Sequence, residues 1–181
     1  MGLTQLKMEE LYFDENGNLA PEGIHLLTID EAEEILVLHS QFANSITREL
    51  LWDNLQRYNQ LLLEYIDTVF EQWICGSFCS TKINPEDIDI VCFLSRSAQQ
   101  QAEKTDGTAA VVDFFAIQGV GKAKLWHKLF VDAYVVLEYV EGIDPQDLVQ
   151  LYERERSYWK NWFLTDENYH QRAILQLIIE P

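Results

Sequence analysis

The chain reads as an α/β protein of the α+β kind, a small mixed β-sheet flanked by helices, and three observations carry that reading. Residues 73–94, WICGSFCSTKINPEDIDIVCFL, hold two apolar strand-like runs separated by Gly-Ser, a polar loop and Asp-Ile-Asp. A further run, FVDAYVV from Phe130, has the β-branched and aromatic composition of a strand around one acid. From about Ile46 to Phe70, apolar residues recur instead at helical spacing.

Taken in order, residues 1–27 carry turn signals at Asn16-Gly17-Asn18 and Ala20-Pro21-Glu22-Gly23, and are expected to form an irregular arm with at most a short hairpin. Thr28-Ile29-Asp30-Glu31 is a capping box with acids in the first turn, which predicts a helix to about Phe42. The long helix from about Ile46 to Phe70 presents Leu50, Leu51, Tyr58, Leu61, Leu62, Tyr65 and Val69 to the sheet, while Arg48 and Arg57 read as surface ion-pair partners. After the two motif strands, SRSAQQQAEKTDGT (95–108) can start helical but reads as a surface segment. Residues 109–118 suit either a helix or a strand, with Asp113 in a solvent or capping role. The Asp132 strand ends near Glu138, and Asp144 is placed to cap a helix from Pro145 to about Phe163.

The middle motif has a definite physical content. Strand side chains alternate faces, so Asp87 and Asp89 project together while Ile88 and Ile90 point into packing beneath. Two carboxylates that close repel one another, and a hard divalent cation with oxygen ligands is the usual relief. Gly76 permits a close backbone approach, and the amides of Ser77 and Phe78 can face an anion as a small nest. The motif thus has room for a metal ion and a phosphate side by side. The bland alternative is that Asp-Ile-Asp merely caps a turn where a loop enters a strand.

Composition bounds the rest. With 181 residues, 48% of them hydrophobic, the chain supports one compact domain over 1–181. No apolar run approaches the ~18 residues of a membrane span, and MGLTQLKMEE lacks the regions of a signal peptide, so a cytoplasmic protein with no membrane partner is expected. Cys75, Cys79 and Cys92 form no Cys-x-x-Cys pair and read as reduced core thiols rather than zinc ligands. The net charge of −17, from 30 acids against 13 bases, argues against nucleic acid as partner and suits a basic protein. Tyr158, Trp159, Trp162 and Phe163 fit a packed helix face better than a base-stacking platform, and His25, His127 and His170 read as structural.

On the Gly76-Ser77 turn, the spacer FCSTKINPE and Asp87-Ile88-Asp89, the chain resembles the DNA polymerase β-like nucleotidyltransferase superfamily. Within it, the chain looks like a subgroup of small prokaryotic nucleotidyltransferase-like proteins, matching in APEGIHLLTIDEAEE, GSFCSTKINPEDIDIV, FVDAYVV and YWKNWFL, spread from Leu19 to Ile179. The resemblance implies the nucleotidyltransferase fold and a two-metal phosphoryl-transfer site. In it Asp87 and Asp89 hold Mg2+ (or Mn2+) and Ser77 contacts the triphosphate. Asp132 matches the third acid, which serves as general base or as metal ligand. Gly76 and Lys82 join the nucleotide-binding set, the lysine because its loop borders the site. Lys122, Lys124 or Lys128 either balances the triphosphate or lies on a solvated face. Cys79 stands where small bacterial relatives often carry arginine, and no separate domain is evident to hold the base, which leaves the C-terminal helix and strand or a partner chain.

The expected activity is transfer of a nucleoside monophosphate from a nucleoside triphosphate to a hydroxyl on a protein or small molecule, as in toxin–antitoxin or defence modules. The alternative is a catalytically silent member that binds a basic partner as an antitoxin would. A plain structural subunit is the third reading.

Overall fold

The computed structural model describes residues 8–105, 114–115, 123 and 125–181. A hairpin comes first, β1 (Tyr12–Phe13) against β2 (Leu19–Ala20), turned where Gly17 takes a φ of +78°. β3 (Gly23–Leu26) and α1 (Ile29–Glu33) follow, and α1 widens into π-helical turns over Glu34–Leu38. Next come α2 (Arg48–Ile66), β4 (Phe70–Cys75), a 3-10 turn over Gly76–Cys79, and β5 (Ile88–Leu94). The chain continues through α3 (Arg96–Thr105), the short α4 (Trp126–Leu129), β6 (Val131–Leu137), α5 (Gln146–Phe163) and β7 (Ala173–Ile179).

Five of these strands form one mixed sheet in the order β3-β7-β4-β5-β6. β3 runs parallel to β7 and β5 parallel to β6, whereas β4 is antiparallel to both its neighbours. Alternation sorts the side chains into two layers. Ile74, Ile88, Ile90, Cys92, Val131, Ala133, Leu175 and Leu177 pack toward α2, whose Leu51, Trp52, Leu55, Tyr58, Leu62 and Ile66 are buried. Each such side chain taken from water contributes about 1.5–3 kcal/mol, so this stripe fixes where α2 lies. A reciprocal amide pair pins its register: Gln72 Nε2 donates to Asn59 Oδ1 at 2.8 Å, and Asn59 Nδ2 donates to Gln72 Oε1 at 3.3 Å. On the opposite face Trp73, Cys75, Val91, Phe93, Val136 and Ile174 pack with Phe163 of α5. Arg156 of α5 lies over the Trp73 and Phe93 rings and pairs with Glu71 at 2.7 Å.

Several expectations need correction. The arm over 1–27 is only partly irregular, because Gly23–Leu26 joins the main sheet against a strand that begins at Ala173. The capping box forms, with Glu31 N donating to Thr28 Oγ1 and Thr28 N to Glu31 Oε2, but the helix does not run on to Phe42. The Leu36 carbonyl is taken from outside the helix by Arg48 at 2.6 Å, His39 is extended, and Ser40–Phe42 forms a separate 3-10 turn. Leu50 and Val69 are exposed rather than packed on the sheet: α2 ends at Ile66, and Leu50 lies off its buried stripe. Asp144 does not cap α5; Val140 N donates to it and Arg96 pairs with it, while Pro145 stands extended at the cap. Residues 96–105 are helical. Asp113, Lys122 and Lys124 lie outside the described residues, and Lys128 is exposed. Among the described residues no helix is long and apolar enough to cross a membrane.

Candidate functional site

Parallel pairing of β5 with β6 sets Asp89 opposite Asp132, and pairing of β5 with β4 sets Asp89 opposite Cys75. Asp89 and Asp132 therefore occupy adjacent strands on one face of the sheet, the face covered further along by α5. Asp132 is buried and Asp89 half-buried. Asp87 stands just before β5, half-buried, and accepts from Trp126 Nε1 at 3.4 Å. The Tyr134 hydroxyl donates to Asp132 Oδ2 at 3.3 Å. Burial first, and then the negative charges of Asp132 and Asp89, push the Tyr134 phenol well above its ordinary range, so it stays a donor.

The Gly76 turn closes over Asp89. Gly76 takes a φ of +72°, in the left-handed region, and its backbone comes so near Asp89 that an added Cβ would meet the carboxylate. Ser77 is half-exposed, and its carbonyl accepts from Ser80 Oγ at 2.7 Å. The loop that follows is built around Arg48, which sequence reasoning placed on the surface. Its side chain is 1% exposed and makes five hydrogen bonds to four carbonyls, those of Leu36, Phe78, Ser80 and Lys82. The guanidinium carbon also lies 3.6 Å from the Phe42 ring centre, and burial lowers the Arg48 pKa to about 10. An arginine in the first turn of a helix carries no sequence signal for such burial. From outside, the hairpin braces the same loop: Thr81 N donates to Gly17 O at 2.8 Å, and Asn18 bridges to Ser80.

Two openings flank the motif. A cleft of ≈ 1110 Å³ is lined by Ser77, Lys82 and Arg172 together with Tyr158, Trp162 and Tyr169. A groove of ≈ 500 Å³ is lined by Asp87 with Thr47, Leu50, Trp126 and Phe130. The expected nucleotide contacts Ser77 and Lys82 thus share the cleft, whereas Asp87 opens onto the groove. The aromatic group of α5 divides as well. Trp159 stacks on Phe163 and meets Tyr134 at 4.4 Å, as core packing predicts, while Tyr158 and Trp162 are more than half exposed on the cleft.

The donor set is oxygen throughout. Among the described residues no three His, Cys, Asp or Glu side chains stand as a ready-made metal cage. Magnesium in phosphoryl-transfer sites is commonly held by one or two carboxylates completed by water and substrate phosphates; of the three expected acids the structure sets Asp89 opposite Asp132, while Asp87 opens onto the groove. The three cysteines are buried and free, and burial pushes the Cys79 and Cys92 thiols up to about 12, so they are neutral core groups as expected. His25 is buried against the Pro21 carbonyl, and His170 pairs with Asp166.

No curated protein and no solved structure matches the chain. A family model matches residues 11–178, nearly its whole length, and the chain belongs to that family, described as a family of unknown function (DUF6932).

Proposed function

We propose that the chain is a Mg2+- or Mn2+-dependent nucleotidyltransferase with the nucleotidyltransferase fold of the DNA polymerase β-like superfamily. It transfers a nucleoside monophosphate from a nucleoside triphosphate to a hydroxyl on a protein or small molecule. One observation supports this above the rest: Asp89 and Asp132 sit side by side on adjacent strands, and the left-handed Gly76 packs against the Asp89 carboxylate.

In this reading Asp87 and Asp89 would hold the metal, with Asp132 opposite Asp89; when bound, the ion would neutralise phosphate charge and orient the reacting oxygens. The chain's own groups do the positioning. Ser77 and Lys82 face the triphosphate, and the carbonyls held by Arg48 keep their loop in one shape. Asp132, steadied by the Tyr134 hydroxyl, takes the acceptor hydroxyl's proton or serves as a further ligand. The groove beside Asp87 is the approach for that hydroxyl. The new bond joins the acceptor oxygen to the α-phosphorus, the bond from that phosphorus to the bridging oxygen breaks, and pyrophosphate leaves.

The test is a thermal-shift panel of the four ribonucleoside triphosphates with Mg2+ or Mn2+, on the native chain and on Asp87→Ala with Asp89→Ala. A ligand that binds only the folded state raises the melting temperature. Stabilisation by a triphosphate that needs metal and vanishes in the double variant supports the reading; no response from any triphosphate sinks it.

The net charge of −17 and the buried Cys79, where relatives often carry arginine, favour a second reading: a catalytically silent member that binds a basic partner in a toxin–antitoxin or defence module. Under it, the acids repel without a ligand, and the double variant is simply more stable.

A further inference from the structure

Cys79 is buried with its thiol neutral, so the turn cannot draw a cation from that position. It draws one from the far end of the chain. Arg172 stands immediately before β7 and lines the cleft together with Ser77 and Lys82. Its Nε donates to the Phe163 carbonyl and its backbone N to Leu164, both at 2.8 Å, which fixes the side chain to the end of α5. Its charge is felt by the thiols of Cys75 and Cys79, which bracket the turn.

The α5 part of the cleft lining has its own unexplained feature. Tyr158 and Trp162, one turn apart on α5, stack with their ring planes 23° apart, yet stand 54% and 61% exposed. The neighbouring pair Trp159 and Phe163 already does the packing, so the outer pair is not needed by the core. Exposed aromatic faces on a concave wall suit a flat ring. Two acids line the cleft: the Asp166 carboxylate accepts from Asn18, Asn168 and His170, and Glu167 is exposed.

We infer that Arg172 and the Tyr158–Trp162 face complete the donor-nucleotide site, Arg172 taking the phosphates with Ser77 and Lys82 while the base stacks on Trp162. The inference rests on the nucleotide reading above and adds residues from α5 and the start of β7 to it. A guanidinium can engage two phosphate oxygens at once, which a lone lysine cannot.

The experiment measures binding of a non-hydrolysable nucleoside triphosphate and of inorganic tripolyphosphate, each with Mg2+, by equilibrium dialysis and tryptophan fluorescence. The chains compared are native, Arg172→Gln, Arg172→Lys, Trp162→Leu and Asp89→Asn, each checked for folding by circular dichroism. Arg172→Gln is expected to weaken both ligands about tenfold, and Arg172→Lys to restore part of the loss. Trp162→Leu, on an exposed site that folding does not need, is expected to weaken the nucleotide roughly tenfold and leave tripolyphosphate unchanged. If Asp89→Asn abolishes nucleotide binding while Arg172→Gln and Trp162→Leu bind as native, the nucleotide reading stands and the inference falls. If the native chain binds neither ligand, both fall.

Discussion

A Cβ built on Gly76 would stand 1.8 Å from Oδ2 of Asp89, closer than any real contact. Turn and carboxylate therefore hold one another in place, and the left-handed φ of Gly76 is part of the same arrangement. Gly76→Ala combines the left-handed backbone penalty with displacement of the Asp89 side chain, and a loss of about 2–3 kcal/mol is expected. Urea denaturation measures that loss, and a thermal-shift assay with Mn2+ and triphosphate should show no response in the variant. A variant that keeps the native response would mean that Asp89 does not need its present position.

Asp89 opposite Asp132 is a like-charge pair on adjacent strands. Such pairs oppose folding by roughly 0.2–1 kcal/mol. Asp89→Asn is therefore expected to melt slightly above the native chain in buffer treated with chelator, and slightly below it once metal and triphosphate are added. That crossing of the two melting temperatures is the signature of a ligand site. A variant less stable in both conditions would show instead that the Asp89 carboxylate supports the fold.

Arg48 anchors four carbonyls, including those of Phe78, Ser80 and Lys82 in the loop that carries the Gly-Ser turn. Arg48→Met leaves buried acceptors without their donor, and a loss of about 3–5 kcal/mol is expected in chemical denaturation. Arg48→Lys should recover little of it, because one ammonium cannot span four carbonyls. Near-native stability in the methionine variant would show that water replaces the guanidinium.

Local pattern made the motif strands legible, and non-local pairing hid the rest. The alternation through Ile88–Leu94 and the apolar run around Asp132 announce their strands, but Asp87 stands before the strand and opens onto the groove beside Trp126, which a period of two does not foresee. That Asp132 lies level with Asp89 depends on strand register, which neither segment carries by itself. Gly23–Leu26 has too short an apolar pattern to announce a strand, and its partner β7 begins at Ala173. Arg48 and Arg172 were illegible for one physical reason. Their value lies in carbonyls and turns supplied by distant segments, and arginine's ordinary place is the surface. The exposure of Trp162 beside buried Phe163 likewise depends on where α5 ends against the sheet.

Asp166 ties the hairpin to the α5–β7 turn. Its carboxylate accepts from Asn18 Nδ2 at 2.9 Å, reaching the hairpin, and from Asn168 N at 2.8 Å and His170 N at 2.9 Å within its own turn. The Asn18 amide first, and the His170 and Asn168 donors after it, hold this carboxyl well below the ordinary carboxylate range. A folded-state pKa depressed below the unfolded one contributes stability that is fully present above the unfolded value, near pH 4, and lost as pH falls toward the folded value. Asp166→Asn should therefore be less stable than the native chain at pH 7, with the gap narrowing steadily below about pH 4. Urea titrations at neutral and acid pH measure the gap. A gap that stays constant across that range would place the contribution in shape rather than charge. At neutral pH the variant should also bind nucleotide more weakly if the Asn18 contact holds the cleft open at its present width, since the hairpin then loses its tie to the α5–β7 turn.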